Sequence, residues 1–105
     1  MKEKQEKQEQ KVDELIDVVC EVLKINYDDL ISTNQKRVYT EARMIVADVI
    51  LDKFNRYTLK RVGEKLGGRA HSTVLNSVRT YKNLYKVDKE FKEKVLNVKH
   101  YTNGI

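Results

Sequence analysis

Apolar residues recur at helical spacing in several segments of the chain, and no segment alternates with the period of two that a strand would show. The first segment predicts an amphipathic helix from about Val12 to Lys24, followed by a break at Asn26. The second, from Ala42 to Phe54, predicts a long central helix with a broad buried face and Arg43 on its outer side. Expected buried positions are Val12, Leu15, Ile16, Val19, Val22, Leu23, Ala42, Ile45, Val46, Val49, Ile50 and Phe54.

A pair of helices separated by glycines follows. Thr58 is the expected N-cap of a short helix that contains Gly63, where glycine costs about 1 kcal/mol relative to alanine and so predicts a close approach to another helix. Gly67-Gly68 then permits a tight turn with positive φ. The next helix would bury Val74, Leu75 and Val78, which leaves His71, Ser72, Thr73, Asn76 and Arg79 outside. The pattern predicts a helix-turn-helix over about residues 58–85.

The two ends of the chain differ from its middle. Residues 1–11 have no apolar residue after Met1 and are expected to be a disordered tail or a solvated helix extension. Asp88 would cap a last helix with a buried edge of Phe91, Val95 and Val98. Residues 12–100 are therefore expected to form one domain, with a short tail at 101–105.

Charge is unevenly distributed over this expected bundle. The net charge is +5, yet residues 1–33 carry five Lys against nine Asp and Glu, a net charge of −4. Residues 34–86 carry twelve Lys and Arg against four Asp and Glu, a net charge of +8. A basic middle is typical of a module that binds a polyanion. Composition alone does not separate DNA from RNA or an anionic membrane.

Several classes of function are excluded by what the sequence does not contain. Cys20 is the single cysteine, which excludes an internal disulfide and a cysteine-built zinc site. Residues 63–70 approach a P-loop but have Arg69 and Ala70 where that motif needs Lys and Ser or Thr, so no nucleotide is expected. No apolar run is long enough for a membrane span or a signal peptide. We expect a cytoplasmic protein without metal, cofactor, membrane contact or enzymatic activity.

The stretch 66–74, Leu-Gly-Gly-Arg-Ala-His-Ser-Thr-Val, closely resembles the motif of the C-terminal DNA-binding domain of DnaA, the bacterial replication initiator. The family form is Gly-Gly-Arg-Asp-His followed by Ser or Thr, Thr and Val. The likeness extends through Thr58-Leu59, Val62-Gly63 and Ala42-Arg43, and covers about residues 11–100. It implies a small all-α bundle with a helix-turn-helix, of the DnaA C-terminal or Trp repressor type.

The resemblance also implies the positions that would contact DNA. Residues 69–76 are assigned to the major groove and residues 35–37 to the neighbouring minor groove. Within the major-groove set, His71, Ser72 and Thr73 match base and phosphate contacts. The other residues implied by the resemblance are Arg69, Val74 and Asn76, which touch the DNA backbone or support the helix, Arg43, which contacts a phosphate, and Lys36 and Arg37 in the basic loop.

This sequence departs from the family at two of these positions. Ala70 stands where the family usually has an aspartate that accepts a hydrogen bond from a base edge, which predicts a relaxed or altered preference there. Gln35 stands where the family usually has the arginine inserted in the minor groove, a role that Lys36 or Arg37 could take after a small loop shift.

Other basic and aromatic residues leave alternatives open. Arg43 could equally pair with Glu41 or Asp48, and Lys36 and Arg37 could form a solvated loop. Lys60, Arg61 and Lys65 either contact the DNA backbone or form a solvated face. The tyrosines Tyr39, Tyr57, Tyr81 and Tyr85 lie at or near buried helical positions, which favours core packing over stacking on unpaired bases.

These observations favour sequence-specific binding of double-stranded DNA at sites like the DnaA box, in replication initiation or transcription. The expected setting is the nucleoid of a bacterial or phage-infected cell, with another replication or regulatory protein as a further partner. The alternative is a protein-interaction adaptor that uses helices at residues 11–24 and 88–100, in which DNA contact is vestigial.

Overall fold

The structure is a computed structural model that describes residues 2–105, and the side chains of residues 7–105. Six helices follow one another, and residues 2–105 contain no strand. They are α1 (Lys2–Leu23), α2 (Tyr27–Ile31), α3 (Arg37–Lys53), α4 (Leu59–Lys65), α5 (His71–Val87) and α6 (Lys89–Thr102). The predicted all-α class is confirmed.

The central helix of the bundle is α3, which contacts each of the other five helices. Its predicted face from Ala42 to Phe54 is buried, since no predicted position on it is more than 8% exposed. Because helices surround α3 on several sides, its buried surface is wider than one apolar stripe. Arg43, expected on the outer side, is buried as well.

The first helix begins earlier than its apolar pattern predicted. Val12, Leu15, Ile16 and Val19 are buried as expected, but α1 already begins at Lys2. In the structure, residues 2–11 continue α1 as a helix extension, and Met1 lies outside the described residues. Lys, Glu and Gln propagate a helix well, which explains why a segment without apolar residues continues α1.

The predicted break after α1 is built on a left-handed residue. Lys24 has a φ of 58°, and the amide of Ile25 donates to the carbonyl of Cys20 across 3.0 Å, a common way to end a helix. The chain then turns into the short α2, which buries Leu30 completely. This arrangement brings the end of α2 against α3.

The last helix packs against α1 and α5. Asp88 caps it as predicted, because its carboxylate accepts from the amide of Phe91 across 3.0 Å. Phe91, Val95 and Val98 are fully buried, which confirms the predicted edge. The helix continues to Thr102, whose buried hydroxyl donates to the Val98 carbonyl across 2.9 Å, so part of the expected tail 101–105 belongs to the bundle.

Candidate nucleic-acid interface

The turn between α4 and α5 depends on glycines that lie against backbone. The Gly63 carbonyl accepts from the amides of Gly68 and Arg69 across 3.0 and 2.9 Å. A Cβ at Gly63 would lie 1.9 Å from the Arg69 carbonyl oxygen in the turn and 3.5 Å from the Val74 side chain of α5, so the predicted close approach to another helix is present, although the tightest contact is with the turn. Gly67 and Gly68 have φ values of 84° and 83°, which confirms the predicted turn.

The short helix α4 is fixed at its start and along its inner face. The Thr58 hydroxyl accepts from the Arg61 amide across 3.2 Å, which confirms the predicted N-cap. Val62 and Leu66 are buried. These contacts set the direction in which the chain enters the turn and begins α5.

The first turn of α5 presents short polar side chains outward. Val74 is buried on the inner side of the helix. Ala70 is the N-cap residue and has no side-chain acceptor, while its carbonyl accepts from the Thr73 amide across 3.0 Å. The exposed residues at this end are Ala70, His71, Ser72, Thr73 and Asn76, whose side chains bond to no described residue. We call these five residues the α5 edge.

The loop between α2 and α3 is ordered by its own hydrogen bonds. The Ser32 hydroxyl donates to the Asp29 carbonyl across 2.7 Å and accepts from the Asn34 amide across 3.2 Å. The Asn34 side-chain oxygen accepts from the Lys36 amide across 3.0 Å. Residues 32–36, which we call the basic loop, therefore have a defined conformation, with Thr33, Asn34, Gln35 and Lys36 exposed.

Arg43 lies beneath the basic loop and does not face solvent. It is 4% exposed, and its guanidinium donates to four backbone carbonyls. These belong to Leu30 at 2.6 Å, Asn34 at 2.8 Å, Ser32 at 2.8 Å and Asp29 at 3.1 Å. The expected phosphate contact of Arg43 is not supported, because nearly all its donors are satisfied inside the protein. Pairing with Glu41 or Asp48 is not formed either.

Arg69 reaches the same loop from the other side. Its guanidinium donates to the Ser32 carbonyl across 2.5 Å, to the Ile31 carbonyl across 3.4 Å, and to Leu66 in the turn. The supporting role that the resemblance implied for Arg69 matches this position. Of the two guanidiniums on the loop, Arg43 is buried and Arg69 half-buried.

The two arginines carry positive charge without a carboxylate partner among residues 7–105. Burial lowers the pKa of the Arg43 guanidinium from its ordinary value, and the charge of Arg69 lowers it further. Burial likewise lowers the pKa of Arg69. The carbonyls at the ends of α2 and α4 offset part of this cost, since helix C-termini favour cations. The region beside the α5 edge is consequently electropositive.

The two basic-loop candidates differ in their surroundings. Lys36 is exposed and is the N-cap residue of α3. Arg37 is the first residue of α3 and pairs with Glu41 across 3.2 Å and with Asp88 across 2.5 Å. Its side chain is still 70% exposed, but the structure directs it toward the start of α6. Of the two basic residues in the predicted minor-groove segment 35–37, Lys36 is thus the one that remains available at the loop.

The basic residues of α4 divide in the same way. Lys60 is exposed and forms no ion pair with a described side chain. Arg61 pairs with Glu9 of α1, and Lys65 pairs with Glu9 across 3.0 Å and with Asp13 across 2.6 Å. The role of Glu9 was missed by sequence reasoning, because nothing in a uniformly polar segment marks one glutamate for a contact about fifty residues away.

The tyrosines and Cys20 belong mainly to the interior. Tyr57 and Tyr81 are 6% and 5% exposed, and Tyr81 packs edge-on against Phe91 with ring centroids 5.5 Å apart. This confirms core packing for both. The Cys20 thiol is buried too, and no cluster of His, Cys, Asp or Glu that could hold a metal occurs among the described residues. Nor is any described helix both long and apolar enough to cross a membrane.

The structure thus brings most of the predicted residues to one region. The turn residue Gly67 packs so closely on the end of α2 that a Cβ there would lie 2.3 Å from the Ile31 carbonyl oxygen. Arg69, which precedes the α5 edge, is bonded to the Ser32 carbonyl of the basic loop, and Arg43 bonds the same carbonyl from α3. Lys36 and Lys60 are exposed candidates, whereas Arg43 lies outside the accessible set.

Comparison with known proteins identifies a family that matches this arrangement. The family model described as "Bacterial dnaA protein helix-turn-helix" matches residues 12–80, which include the second half of α1, all of α2, α3 and α4, and the exposed start of α5. The matched part contains the α5 edge, the basic loop, Arg43 and Arg69.

Curated relatives point the same way. The chain is 34% identical over 82 residues to the chromosomal replication initiator protein DnaA of Jannaschia sp., covering 78% of this chain and 17% of that protein. It is 32% identical over 87 residues to the protein of the same name from Flavobacterium psychrophilum, covering 83% of this chain and 18% of the relative. The chain thus spans less than a fifth of the length of these relatives.

Proposed function

This chain belongs to the bacterial DnaA helix-turn-helix family, and we propose on that basis that it binds double-stranded DNA with α5 in the major groove. The basic loop would enter the neighbouring minor groove. The observation that carries the proposal is the α5 edge, a row of exposed short side chains at the start of the second helix of the motif, with no partner among the described residues. The domain type is a DNA-binding module and not an enzyme.

The geometry at the start of α5 suits a nucleic acid. A helix N-terminus leaves backbone N–H groups unpaired, and these attract a phosphate oxygen. Helix-turn-helix proteins place the N-terminal residues of their second helix against base edges. His71, Ser72 and Thr73 supply donors and acceptors at that place, and Gly67 and Gly68 have no side chains that would keep the duplex away.

The preferred site is proposed to be similar to a DnaA box but altered at one position. The exposed Ala70 has a methyl group where the family usually has an aspartate acceptor. A methyl group cannot accept from cytosine N4 but can contact the thymine methyl group. We therefore propose that Ala70 favours thymine or tolerates several bases at that position, and that site occupancy regulates replication initiation or transcription.

Binding is tested by fluorescence anisotropy with a DnaA-box duplex, a shuffled duplex and a single strand over a salt series from about 50 to 200 mM. The proposal expects tightest binding to the box duplex at every salt concentration. Equal affinity for the box and the shuffled duplex would remove sequence specificity. Preference for the single strand would remove the assignment of α5 to a major groove.

The roles of individual residues are tested by paired substitutions on α5. His71→Ala should cost roughly 1–3 kcal/mol on the box duplex and much less on the shuffled duplex, because a base contact discriminates between sequences. Asn83→Ala is the matched control, since Asn83 is exposed on the same helix but about 18 Å along its axis from His71. Equal losses for both variants would contradict a base-contacting role for His71.

Phosphate contacts are tested by the two lysines of α4. Lys60→Ala should reduce the slope of log affinity against log salt by about one unit, as expected when one cation that displaces a counterion is lost. Lys65→Ala removes the same charge from the same helix, but the Lys65 ammonium is already bound by Glu9 and Asp13. Its slope should change less, and equal slopes would contradict the assignment of Lys60.

The adaptor alternative has less support from the packing. It requires apolar faces on the first and last helices that are available to a partner. In the structure Val12, Leu15 and Ile16 of α1, and the corresponding face of α6, are buried within the bundle. Absence of duplex binding at about 50 mM salt would nevertheless return that alternative to first place.

A further inference from the structure

We propose that Arg43 and Arg69 are positioning residues that clamp the basic loop to the turn of the helix-turn-helix, so that the loop and α5 engage DNA as one rigid unit. This inference rests on the proposed DNA binding. It assigns to Arg43 a role in setting the geometry between two groove-contacting elements, in place of a contact with DNA.

Arg43 and Arg69 share one hydrogen-bond acceptor in the loop. The Ser32 carbonyl accepts from Arg43 across 2.8 Å and from Arg69 across 2.5 Å. The two side chains come from different parts of the fold, Arg43 from the central helix α3 and Arg69 from the turn before α5. The loop therefore cannot move relative to the turn before α5 without breaking the Arg69 bonds, or relative to α3 without breaking the Arg43 bonds.

The clamp binds carbonyls at the end of α2 and in the basic loop. Between them the two guanidiniums bind the carbonyls of residues 29, 30, 31, 32 and 34. Gly67 adds direct backbone packing, because a Cβ there would lie 2.3 Å from the Ile31 carbonyl oxygen. Hydrogen bonds and close packing thus join the same two segments, which a simple helix cap would not require.

Two observations show that this arrangement is more than a means of filling space. The guanidiniums lie near one another without a carboxylate partner among residues 7–105, a costly way to satisfy a few carbonyls. Each contact also uses the planar, divergent donors of arginine, which a lysine ammonium cannot reproduce. The network consequently fixes orientation as well as distance.

Fixed geometry matters because the two elements are proposed to enter adjacent grooves of different width. The major groove is about 12 Å wide and the minor groove about 6 Å wide, so the loop has little room for error once α5 is seated. A binding constellation must be held to within about 0.5 Å by supporting contacts. Arg43 and Arg69 provide that support from beneath.

The first test uses the full chain without DNA. Arg43→Lys keeps the charge but removes the forked donors, so the amide NMR signals of residues 33–36 should shift or broaden while those of Val95 and Val98 in α6 remain in place. Arg69→Lys should affect the same loop signals. Arg56→Lys is the matched control, because Arg56 is exposed and bonds to no described side chain. Unchanged loop signals in both clamp variants would overturn the inference.

The second test separates the two grooves with base analogues. An I·C pair differs from G·C only by the minor-groove amino group, and shows the A·T pattern in that groove. At each position, the ratio of the Kd for G·C to the Kd for I·C reports minor-groove recognition alone. The ratio of the Kd for I·C to the Kd for A·T reports major-groove recognition.

The wild-type protein should show a G·C to I·C ratio of roughly 5- to 100-fold at the loop's positions. Arg43→Lys should reduce that ratio to about threefold or less and leave the major-groove ratios within about twofold of wild type. Equal losses in both grooves would show a general structural role and overturn the inference. If Arg43→Lys fails to fold, the half-exposed Arg69→Lys variant decides by the same ratios.

The wild-type profile keeps this inference distinct from the proposed function. If the wild-type protein discriminates bases in the major groove but shows a G·C to I·C ratio near one, the clamp's proposed purpose is overturned, but DNA binding by α5 stays in place. If both ratios are near one at every position, the protein does not recognise sequence at all. Loss of the minor-groove ratio alone in the clamp variants is the result that supports the inference.

Discussion

At Gly63 the absence of a side chain allows the turn of the helix-turn-helix to pack closely against α4. A methyl group there would lie 1.9 Å from the Arg69 carbonyl oxygen, and backbone cannot move aside as a flexible side chain can. Gly63→Ala should therefore lower the free energy of unfolding by about 3 kcal/mol or more, in the range of severe overpacking. Urea denaturation followed by circular dichroism measures this change.

Two other glycines provide graded controls for that measurement. Gly68 has open space around its Cβ position but a φ of 83°, so Gly68→Ala should cost about 1–2 kcal/mol from backbone strain alone. Gly104 has neither restriction, and Gly104→Ala should change stability by less than about 0.5 kcal/mol. A ranking in which Gly63→Ala is no worse than Gly68→Ala would contradict the close approach.

Cys20 should be chemically silent in the folded protein. Burial, together with the smaller effect of the Asp17 charge, raises the pKa of its thiol to about 11, so almost no thiolate is present at pH 8. Ellman's reagent at pH 8 should therefore not react with the native protein within the time it needs to react fully in guanidinium chloride. Rapid stoichiometric labelling of the native state would contradict the burial of this thiol.

At the residue scale, periodicity predicted the exposure of the polar residues of α5 but not the burial of Arg43. The exposure of His71, Ser72 and Thr73 was predicted from helical periodicity, which places the buried face of α5 at Val74, Leu75 and Val78 and leaves these polar residues outside it. Arg43 could not be placed in the same way. A charged residue in a helical pattern indicates an outer face, but a guanidinium can be buried where enough carbonyls converge, and those carbonyls come from a loop that no periodicity describes.

At the scale of elements, the N-cap of α4 should control the stability of the motif. A seven-residue helix gains little from its own hydrogen bonds, and the Thr58 hydroxyl satisfies one of its first amides. Thr58→Ala should lower the free energy of unfolding by about 1 kcal/mol. Chemical denaturation measures the change.

Thr80 gives the matched control on another helix. Its hydroxyl donates to the Asn76 carbonyl inside α5, whose backbone is already bonded as a helix. Thr80→Ala should be neutral or stabilise by up to about 0.5 kcal/mol, because alanine has the higher helix propensity. Equal destabilisation by both variants would show that loss of a hydroxyl, and not loss of a cap, is being measured.

Elements with a continuous apolar face were predicted well, and their ends less so. The faces of α3 and α6 agree with the periodicity residue by residue, and the caps at Thr58 and Asp88 carry recognisable side chains. The start of α1 had no comparable signal, since its first turns are entirely polar. Their helical state reflects propensity, together with the pairing of Glu9 with α4, a contact made far along the chain.

At the scale of the whole molecule, folding reduces the number of basic side chains in residues 34–86 that are free to bind an anion. Residues 34–86 have a net charge of +8, but Arg37, Arg61 and Lys65 pair with carboxylates from other parts of the chain. Arg43 and Arg69 remain charged beneath the surface. The exposed basic residues of this segment that form no ion pair with a described side chain are Lys36, Arg56, Lys60, Arg79, Lys82 and Lys86.

Glu9 is the residue through which the acidic helix acts on the basic one. Its carboxylate contacts Arg61, Lys65 and the Tyr57 hydroxyl. The side chains of Glu9, Arg61 and Lys65 are about a quarter to a third exposed, and Tyr57 is buried. Glu9→Gln should make Arg61 available to phosphates, while Lys65 keeps its pair with Asp13 across 2.6 Å. We expect tighter duplex binding at low salt and a steeper salt dependence by up to about one unit of slope. Stability should fall by less than about 1 kcal/mol, because partly exposed pairs contribute little.

The control for Glu9→Gln is Glu14→Gln, which raises the net charge equally from an exposed position on α1 that pairs with no described side chain. Salt-dependent anisotropy on one duplex compares the two variants. If the slope increases equally in both, the effect is one of net charge, and Glu9 has no particular influence on α4. A larger increase for Glu9→Gln would show that the acidic helix limits how much of the positive surface is available to DNA, which is expected because the two pairing partners of Glu9 lie within the motif itself.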